Sequence, residues 1–560
     1  MRTAMLKLIF STAALFTIVA AQAPKPFGHG WGFIKPLPPA KNPNAPGVAE
    51  ECTTVAIRTL SGRCTSAADP ALGEARRAQF SYFDVNTVNP IGEDLPSPRL
   101  ISNIVSAQNG NSFNSLGLNE MLTFFGQFID HDFALSPFSD PEEELEIEVP
   151  TNDPSLSKST LEFVRSQRAP VNDSTTVERP ITVLSSALDL SSVYGVDEIR
   201  NSFLRVPNSC RLKTSRGNLL PFNTGGLVNS PSTSADLFIA GDTRANETPM
   251  LTAIHTIWLR EHNRICRRLE NTFPIFSAEK LYETARAINI AQYQKIVYEE
   301  WLPALLGSRL PSYTGYQKNV NPTVSLEFTT AGFRLGHTLV GEDVTRINEY
   351  GKKLPPIPAE DMFFAPSSSI SPRRIEEFLR GASYTKAQEF DEKVVNILRD
   401  FLFENVEEEE GFDLIALNLQ RGRDHGVVKF NDLREFFLGS RARSFKEISS
   451  DPTTANNLQE AYGNVDNVEA WIGLMAEDKN PGAGVGRTLE ALLKTEFTRL
   501  RDGDQFFYLL KNQIPSIVLE KLPGIKRGIF SSSPLFNRIL VRNTRIPAKF
   551  LPRTRNAFVA

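Results

Sequence analysis

Leu251, Ile254, Trp258, Ile265 and Leu269 fall on one stripe of a helix, and Thr248-Pro249 just ahead of them supply an N-cap and a proline suited to the first helical turn. Leu, Arg and Glu recur at helical spacing along the chain, while alternating Val/Thr/Tyr runs are scarce. The expected fold is therefore mostly α, with few short strands. At ~150 residues per domain the 560 residues would allow three to four domains. No internal repeat or low-complexity linker interrupts the chain after Cys52, so one large helical domain is the simpler reading. With 61 Lys+Arg against 65 Asp+Glu the net charge is -4, and 22% of residues are charged and 41% hydrophobic. That balance excludes a disordered or collagen-like chain and offers no basic excess for nucleic acid.

Arg2 and Lys7 accompany an apolar stretch over residues 8–21, followed by the small residues of Ala21-Gln22-Ala23. Residues 1–23 read as a secretory signal peptide cut near Ala21 or Ala23. The stretch falls short of the ~20 residues a bilayer span needs, and no later stretch is long and apolar enough. The mature chain is expected to be soluble and secreted, where disulfides persist. Cys52 and Cys64 are expected to close a small loop, while Cys210 and Cys266 pair or stay free. Residues 24–50 form a Pro/Gly-rich tail. The acidic runs at 142–144 and 407–410 read as solvated loops. Asn172-Asp-Ser174 is a glycosylation sequon in a polar stretch.

Only 6 His are present, and His29 lies in the tail. In residues 122–132, Phe124, Phe125, Phe128 and Ile129 form an apolar face, yet Gln127, Asp130 and His131 cluster on the same helix at spacings of three and four. Asp132 points further round. Such polar groups are costly unless satisfied, and alone this segment reads as a buried hydrogen-bond network. A His-Asp metal pair of the phosphohydrolase type would need an upstream ligand histidine, and only His29 lies there. His255 and His262 lie two turns apart without the HExxH spacing of a zinc site, so both are expected to hydrogen-bond within the core. Arg244 and Glu247 precede that helix, where a loop can present them to a ligand. Arg334 and His337 share a face, and Gly336 leaves room for a bulky neighbour. The polar groups from Asn418 to His425 read mostly as a structural ion-pair knot.

Together GQFIDHD (126–132), SALDLSSVYG (186–195), AGDTR (240–244), LREHNR (259–264), FRLGH (333–337), LNLQRGRDHG (417–426), RLRDGDQFFY (499–508) and ILVRNT (539–544) resemble, in the same order, the motifs of the animal haem peroxidases of the peroxidase-cyclooxygenase superfamily. The resemblance implies a single large helical haem-peroxidase domain over residues 51–555, binding haem b with a calcium ion alongside. At matching positions His131 resembles the distal histidine and His337 the proximal iron ligand. Arg244 and Gln127 resemble the other distal-pocket groups, Asn418 the amide that holds the proximal imidazole, and Arg334 the partner of a haem propionate. Asp130 and Glu247 match carboxylates that form ester links to haem, so the haem is expected to be ester-linked. Asp132, Ser185, Ala187, Asp189 and Ser191 match the calcium ligands. The sequon at Asn246 abuts Glu247 and is expected to stay unmodified.

The chemistry of these residue types agrees with those roles. A histidine near iron can take a proton from hydrogen peroxide and return it to the leaving oxygen, a step typically worth ~10²–10⁴-fold. A permanent guanidinium stabilises the charge that builds as the O–O bond breaks. An amide behind the proximal imidazole orients it and raises its basicity. Carboxylates, hydroxyls and a carbonyl suit a hard cation. The expected function is a secreted haem peroxidase that reacts with hydrogen peroxide and, through a ferryl intermediate, oxidises a small donor: iodide, bromide, thiocyanate or a phenol. Thr248 stands where some members carry a haem-linked methionine, which removes a third covalent link and disfavours chloride. Ala187 replaces a common aromatic, which suits coordination through its carbonyl alone. A peroxinectin-like adhesion or matrix protein is the competing class. It is disfavoured because His131, Arg244 and His337 are all kept and no Arg-Gly-Asp or Lys-Gly-Asp triplet occurs. A fatty-acid dioxygenase is disfavoured because Arg334 occupies the place of the cyclooxygenase tyrosine three residues before the proximal histidine.

Overall fold

The helix that carries His131 starts where Asn119 turns the chain, its side chain accepting from the Leu122 N–H. In the computed structural model, which describes residues 52, 55–84, 90–169, 178–402, 411–552 and 556–560, this helix (α1) runs over Glu120–Asp130. The signal peptide, the tail, the Asn172 sequon and the acidic run at 407–410 lie outside the described residues. Phe125, Phe128 and Ile129 on α1 are fully buried. Gly126 lets Trp301 close in on the helix, since a Cβ there would lie 3.1 Å from the indole. His131 caps the C-terminal end, its N–H donating to the Gln127 carbonyl.

The stripe read from the sequence lies on α2, Pro249–Thr272, with Thr248 as N-cap and Pro249 in the first turn. A cap of this kind is worth about 1 kcal/mol. α2 packs along α3, Ala278–Ile296, and also against α1. Trp258 of α2 stacks on Phe128 of α1, with centroids 6.4 Å apart, and meets the edge of Tyr293 from α3 at 5.5 Å. These rings fix the spacing of α1 and α2, and with it the distance between His131 and the loop before α2. Cys210 is bonded to Cys266 of α2, and Cys52 to Cys64, so no cysteine is free among the described residues.

The segment that carries His337 is not an α-helix. A single π turn, Glu327–Ala331, runs into a 3-10 helix, Gly332–Leu339. Gly332 allows that approach, because a Cβ would lie 2.6 Å from Leu492 of the helix Arg487–Asp502. Residues three apart eclipse in a 3-10 helix, so Arg334 and His337 stand one above the other. Facing them is α4, Leu414–Asp424, whose N-cap is Asp413. The other Asp413 oxygen takes Arg99, 2.8 Å away, and that fully buried arginine also pairs with Asp153 and Asp400. Breaking such a buried network is costly because it strands charges, so it holds the start of α4 in register.

Strands are few and short, as expected. Arg179–Thr182 pairs antiparallel with Arg77–Ala78 on one side and with Arg168–Ala169 on the other. Ile147–Glu148 pairs with Thr160–Leu161, and Asp343–Ile347 with Lys353–Pro358 across a bulge. Residues 142–144 are exposed outside any helix or strand, as read, although Glu143 reaches Arg165 and Arg168. No helix among the described residues is long and apolar enough to cross a membrane.

Candidate active site

A cavity of about 410 Å³ lies between α1, the loop before α2, the 3-10 helix and α4. Gln127, Asp130, His131, Arg244 and Glu247 line it from the α1 and α2 elements, and Arg334, His337 and Asn418 from the other two. Eight residues spread over nearly 300 positions thus share one space. Beside His337, a Cβ on Gly336 would find no atom within 4 Å, so the backbone leaves open room next to the imidazole.

On one wall His131 is buried, and burial together with the nearby Arg244 lowers its pKa well below the ordinary imidazole value, against the opposing pull of Asp242. It is therefore neutral and able to accept a proton. Gln127 Nε2 donates to Glu247 Oε1 at 2.8 Å. Burial pushes Asp130 up to about 6 and Glu247 up to about 7, although Arg244 pulls both down. Thr248 also lines the cavity, and its hydroxyl is used as the α2 cap, accepting from Leu251 N at 3.1 Å.

On the opposite wall burial, and then Arg334, lowers the His337 pKa to about 3, leaving the neutral ring a nitrogen ligand needs. Asn418 bridges the two eclipsed residues. Its Oδ1 accepts from Arg334 Nη1 at 2.8 Å, and its Nδ2 lies 2.8 Å from His337 Nδ1. In that orientation the imidazole proton sits on Nε2. A half-turn of the amide offers Oδ1 to a protonated Nδ1, frees the Nε2 lone pair for a metal, and releases Arg334 to a carboxylate. The residues present therefore fit a haem: a neutral imidazole on one wall, an acid-base and cation pair on the other, and a half-buried arginine with one end to spare.

Four of the five expected calcium residues, Asp132, Ser185, Asp189 and Ser191, also meet. Asp132, Ser185, Ala187, Asp189 and Ser191 are all buried. Asp132 Oδ1 accepts from the Ser191 hydroxyl at 2.9 Å, and its Oδ2 from the N–H groups of Asp189 and Leu190 at 3.0 Å. Ser185 Oγ donates to Asp189 Oδ2 at 2.9 Å. Burial raises the pKa of Asp132, and Asp189 raises it further, so two carboxylates crowd one dry spot. A hard cation held by oxygens would resolve that crowding.

His262 behaves as read, with Nδ1 2.9 Å from the Tyr194 hydroxyl and Nε2 2.8 Å from the Cys210 carbonyl. His255 does not. Both its nitrogens are buried without a well-formed bond, beside the Ser192 backbone, and its ring packs edge-on to Phe128 at 4.9 Å. The polar cluster at the end of α4 is a knot: Asp424 pairs with Arg421 at 2.9 Å and Arg165 at 2.7 Å, while His425 bonds Thr330 and Ser166. Arg421 and His425 nonetheless reach the cavity wall. Sequence reasoning assigned no role to Asp242, two residues before Arg244, which here grips that guanidinium through both oxygens at 2.9 Å.

The buried acids set a pH dependence for the haem-free chain. Burial holds Glu247, Glu300 and Asp391 near 7 and Glu120 near 8. Above pH 7 imidazoles are neutral in both states, while these native carboxyls still hold protons that unfolded ones have lost. Stability then falls as pH rises through 7–8. The melting temperature should drop between pH 7.5 and 9, where imidazoles no longer titrate in either state; a flat or rising curve contradicts these assignments.

The sequence model described as animal haem peroxidase matches residues 57–554. Peroxinectin A of Dictyostelium discoideum is 35% identical over 435 residues, covering 73% of this chain and 80% of that protein. Eosinophil peroxidase of Homo sapiens is 34% identical over 574 residues, covering 89% and 79%. The solved structure of peroxidase A from Dictyostelium discoideum aligns with a TM-score of 0.79 at 30% identity, covering 90% of this chain and 99% of that one. The fatty acid alpha-dioxygenase of Oryza sativa, at 18% identity and a TM-score of 0.76, covering 91% and 87%, shares the fold. With the helical architecture and relatives matched along most of their length, the chain belongs to the animal haem peroxidase family and is a haem peroxidase, an oxidoreductase.

Proposed function

We propose that this chain is an exported peroxidase that uses hydrogen peroxide to oxidise a small donor, namely iodide, bromide, thiocyanate or a phenol. The observation that carries this reading is the cavity with His131 and Arg244 on one wall and His337 and Asn418 on the other. His337 would hold the haem iron, Arg334 a propionate, and Asp130 and Glu247 ester links; Asp132, Ser185, Ala187, Asp189 and Ser191 would hold calcium. When bound, haem supplies the metal that takes oxidising equivalents from peroxide. His131 accepts a proton from peroxide and delivers it to the departing oxygen. Arg244 places a fixed positive charge where negative charge grows on that oxygen. Gln127 is tied to Glu247 and gives the pocket a polar lining. Calcium beside Asp132 would anchor the end of α1 and so hold His131. Two disulfides, one of them spanning 56 residues, support export to an oxidising compartment. With Thr248 used as a helix cap, no methionine is present to form a third covalent link, so chloride is expected to be a poor donor.

The test is an absorption spectrum of the purified protein followed by peroxide assays on a donor panel. A Soret band with turnover of iodide, thiocyanate or a phenol is expected; haem without turnover of any donor contradicts the reading. After exposure to peroxide, acidified organic solvent should leave the haem on the polypeptide, and Asp130→Ala combined with Glu247→Ala should release it completely. Full extraction from the unaltered protein removes the ester assignment.

A further inference from the structure

We infer that Asp242 is a positioning residue that sets both groups meeting peroxide, His131 and Arg244; the inference rests on the roles proposed for those two. Its carboxylate is fully buried. Oδ1 accepts from the Arg244 backbone N–H at 2.8 Å and from Nε at 2.9 Å, and Oδ2 accepts from Nη2 at 2.9 Å. Arg244 Nη1 donates to the Ala134 carbonyl at 3.0 Å. With Nε and one N–H of each Nη engaged, the guanidinium plane is fixed, and its remaining N–H groups are left for the cavity that Arg244 lines. The same Oδ1 lies 3.6 Å from His131 Nδ1, a buried nitrogen with no other partner among the described residues.

A carboxylate on Nδ1 determines the tautomer. Nδ1 carries the proton, and Nε2 presents its lone pair as the accepting site. This is the orienting role that a third group plays behind a general base. At 3.6 Å the contact is longer than a finished hydrogen bond, and a small ring rotation would close it. Burial alone would raise the Asp242 pKa, but the charge and hydrogen bonds of Arg244 hold it below the usual carboxylate range, so the group stays charged.

The position of Asp242 is itself over-determined. Its N–H donates to the Ser192 carbonyl at 3.0 Å. The preceding Gly241 is pressed onto the same turn, since a Cβ there would lie 2.2 Å from the Ser191 carbonyl and 2.6 Å from the Tyr194 nitrogen. Asp132, next to His131, also takes the Ser191 hydroxyl and the Ser192 N–H. One turn, at 191–195, therefore anchors both His131 and the carboxylate that faces it.

The experiment is a double-mutant cycle on the haem-loaded enzyme, reading the second-order rate of the spectral change on mixing with hydrogen peroxide. Asp242→Asn should retain haem and slow that rate about 10²-fold. In a His131→Ala background the same substitution should cost at least tenfold less, because the part of its effect carried by that ring is already lost and only the part carried by Arg244 remains. Equal cost in both backgrounds means that Asp242 does not act through His131 and overturns the inference that it sets both groups, as does an unchanged rate for Asp242→Asn. If His131→Ala itself leaves the rate intact, the proposed roles fail first and this inference fails with them. Should Asp242→Asn lose haem, the wild-type enzyme decides. Nitrogen-15 NMR of its diamagnetic ferrous carbon monoxide form should show His131 protonated on Nδ1, and an Nε2–H tautomer overturns the inference.

Discussion

His337→Ala yields a folded protein that no longer retains haem through gel filtration. Among the described residues, His337 is the only imidazole on its wall with a nitrogen to offer. His425 also touches the cavity, but its Nδ1 lies 2.7 Å from Thr330 Oγ1 and its Nε2 2.8 Å from Ser166 Oγ, so it is pinned within the knot at the end of α4. His337 is only partly buried and its one hydrogen bond is to Asn418, which keeps Arg334 as a partner. Truncation should therefore move the melting temperature of the haem-free chain little while abolishing the Soret band of the purified protein. A normal Soret band in this variant removes His337 as the iron ligand.

His131→Ala keeps the haem but slows the reaction with peroxide by ~10²–10⁴-fold, the usual contribution of a positioned general acid-base group. The loss should appear in the peroxide step measured by stopped flow, with donor oxidation less affected. Its direction follows from a neutral, buried ring on the wall opposite His337. An unchanged peroxide rate means that another group moves the proton, and Gln127 would be the next residue to examine.

Much of this site was legible because its chemistry is written in local motifs. Gln127, Asp130 and His131 share α1, and the Thr248-Pro249 start of α2 is set by capping chemistry that depends on adjacent residues alone. The Cys52–Cys64 bond, 12 residues apart, was readable for the same reason. Features that depend on distant chain segments were not. Cys210 and Cys266 are 56 residues apart and meet because the loop after the helix Glu198–Leu204 folds back onto α2, which no local pattern announces. The 3-10 geometry at 332–339 follows from close packing of Gly332 against Leu492, so the eclipsed stacking of Arg334 on His337 appears only in three dimensions. His255 looked like a well-bonded core histidine, yet it has only a weak approach to the Ser192 backbone and packs edge-on against Phe128. Asp242 was passed over because an acid two residues before an arginine reads as a simple turn. Its reach to His131, 111 positions earlier in the chain, is a product of the fold.

X-ray diffraction at the iron absorption edge from crystals of the purified protein would locate the metal relative to the two imidazoles. The strongest anomalous peak should lie within bonding distance of His337 Nε2, with the His131 ring across the porphyrin from it. A peak elsewhere in the chain, or none in crystals of enzymatically active protein, would contradict the placement of haem between residues 131 and 337.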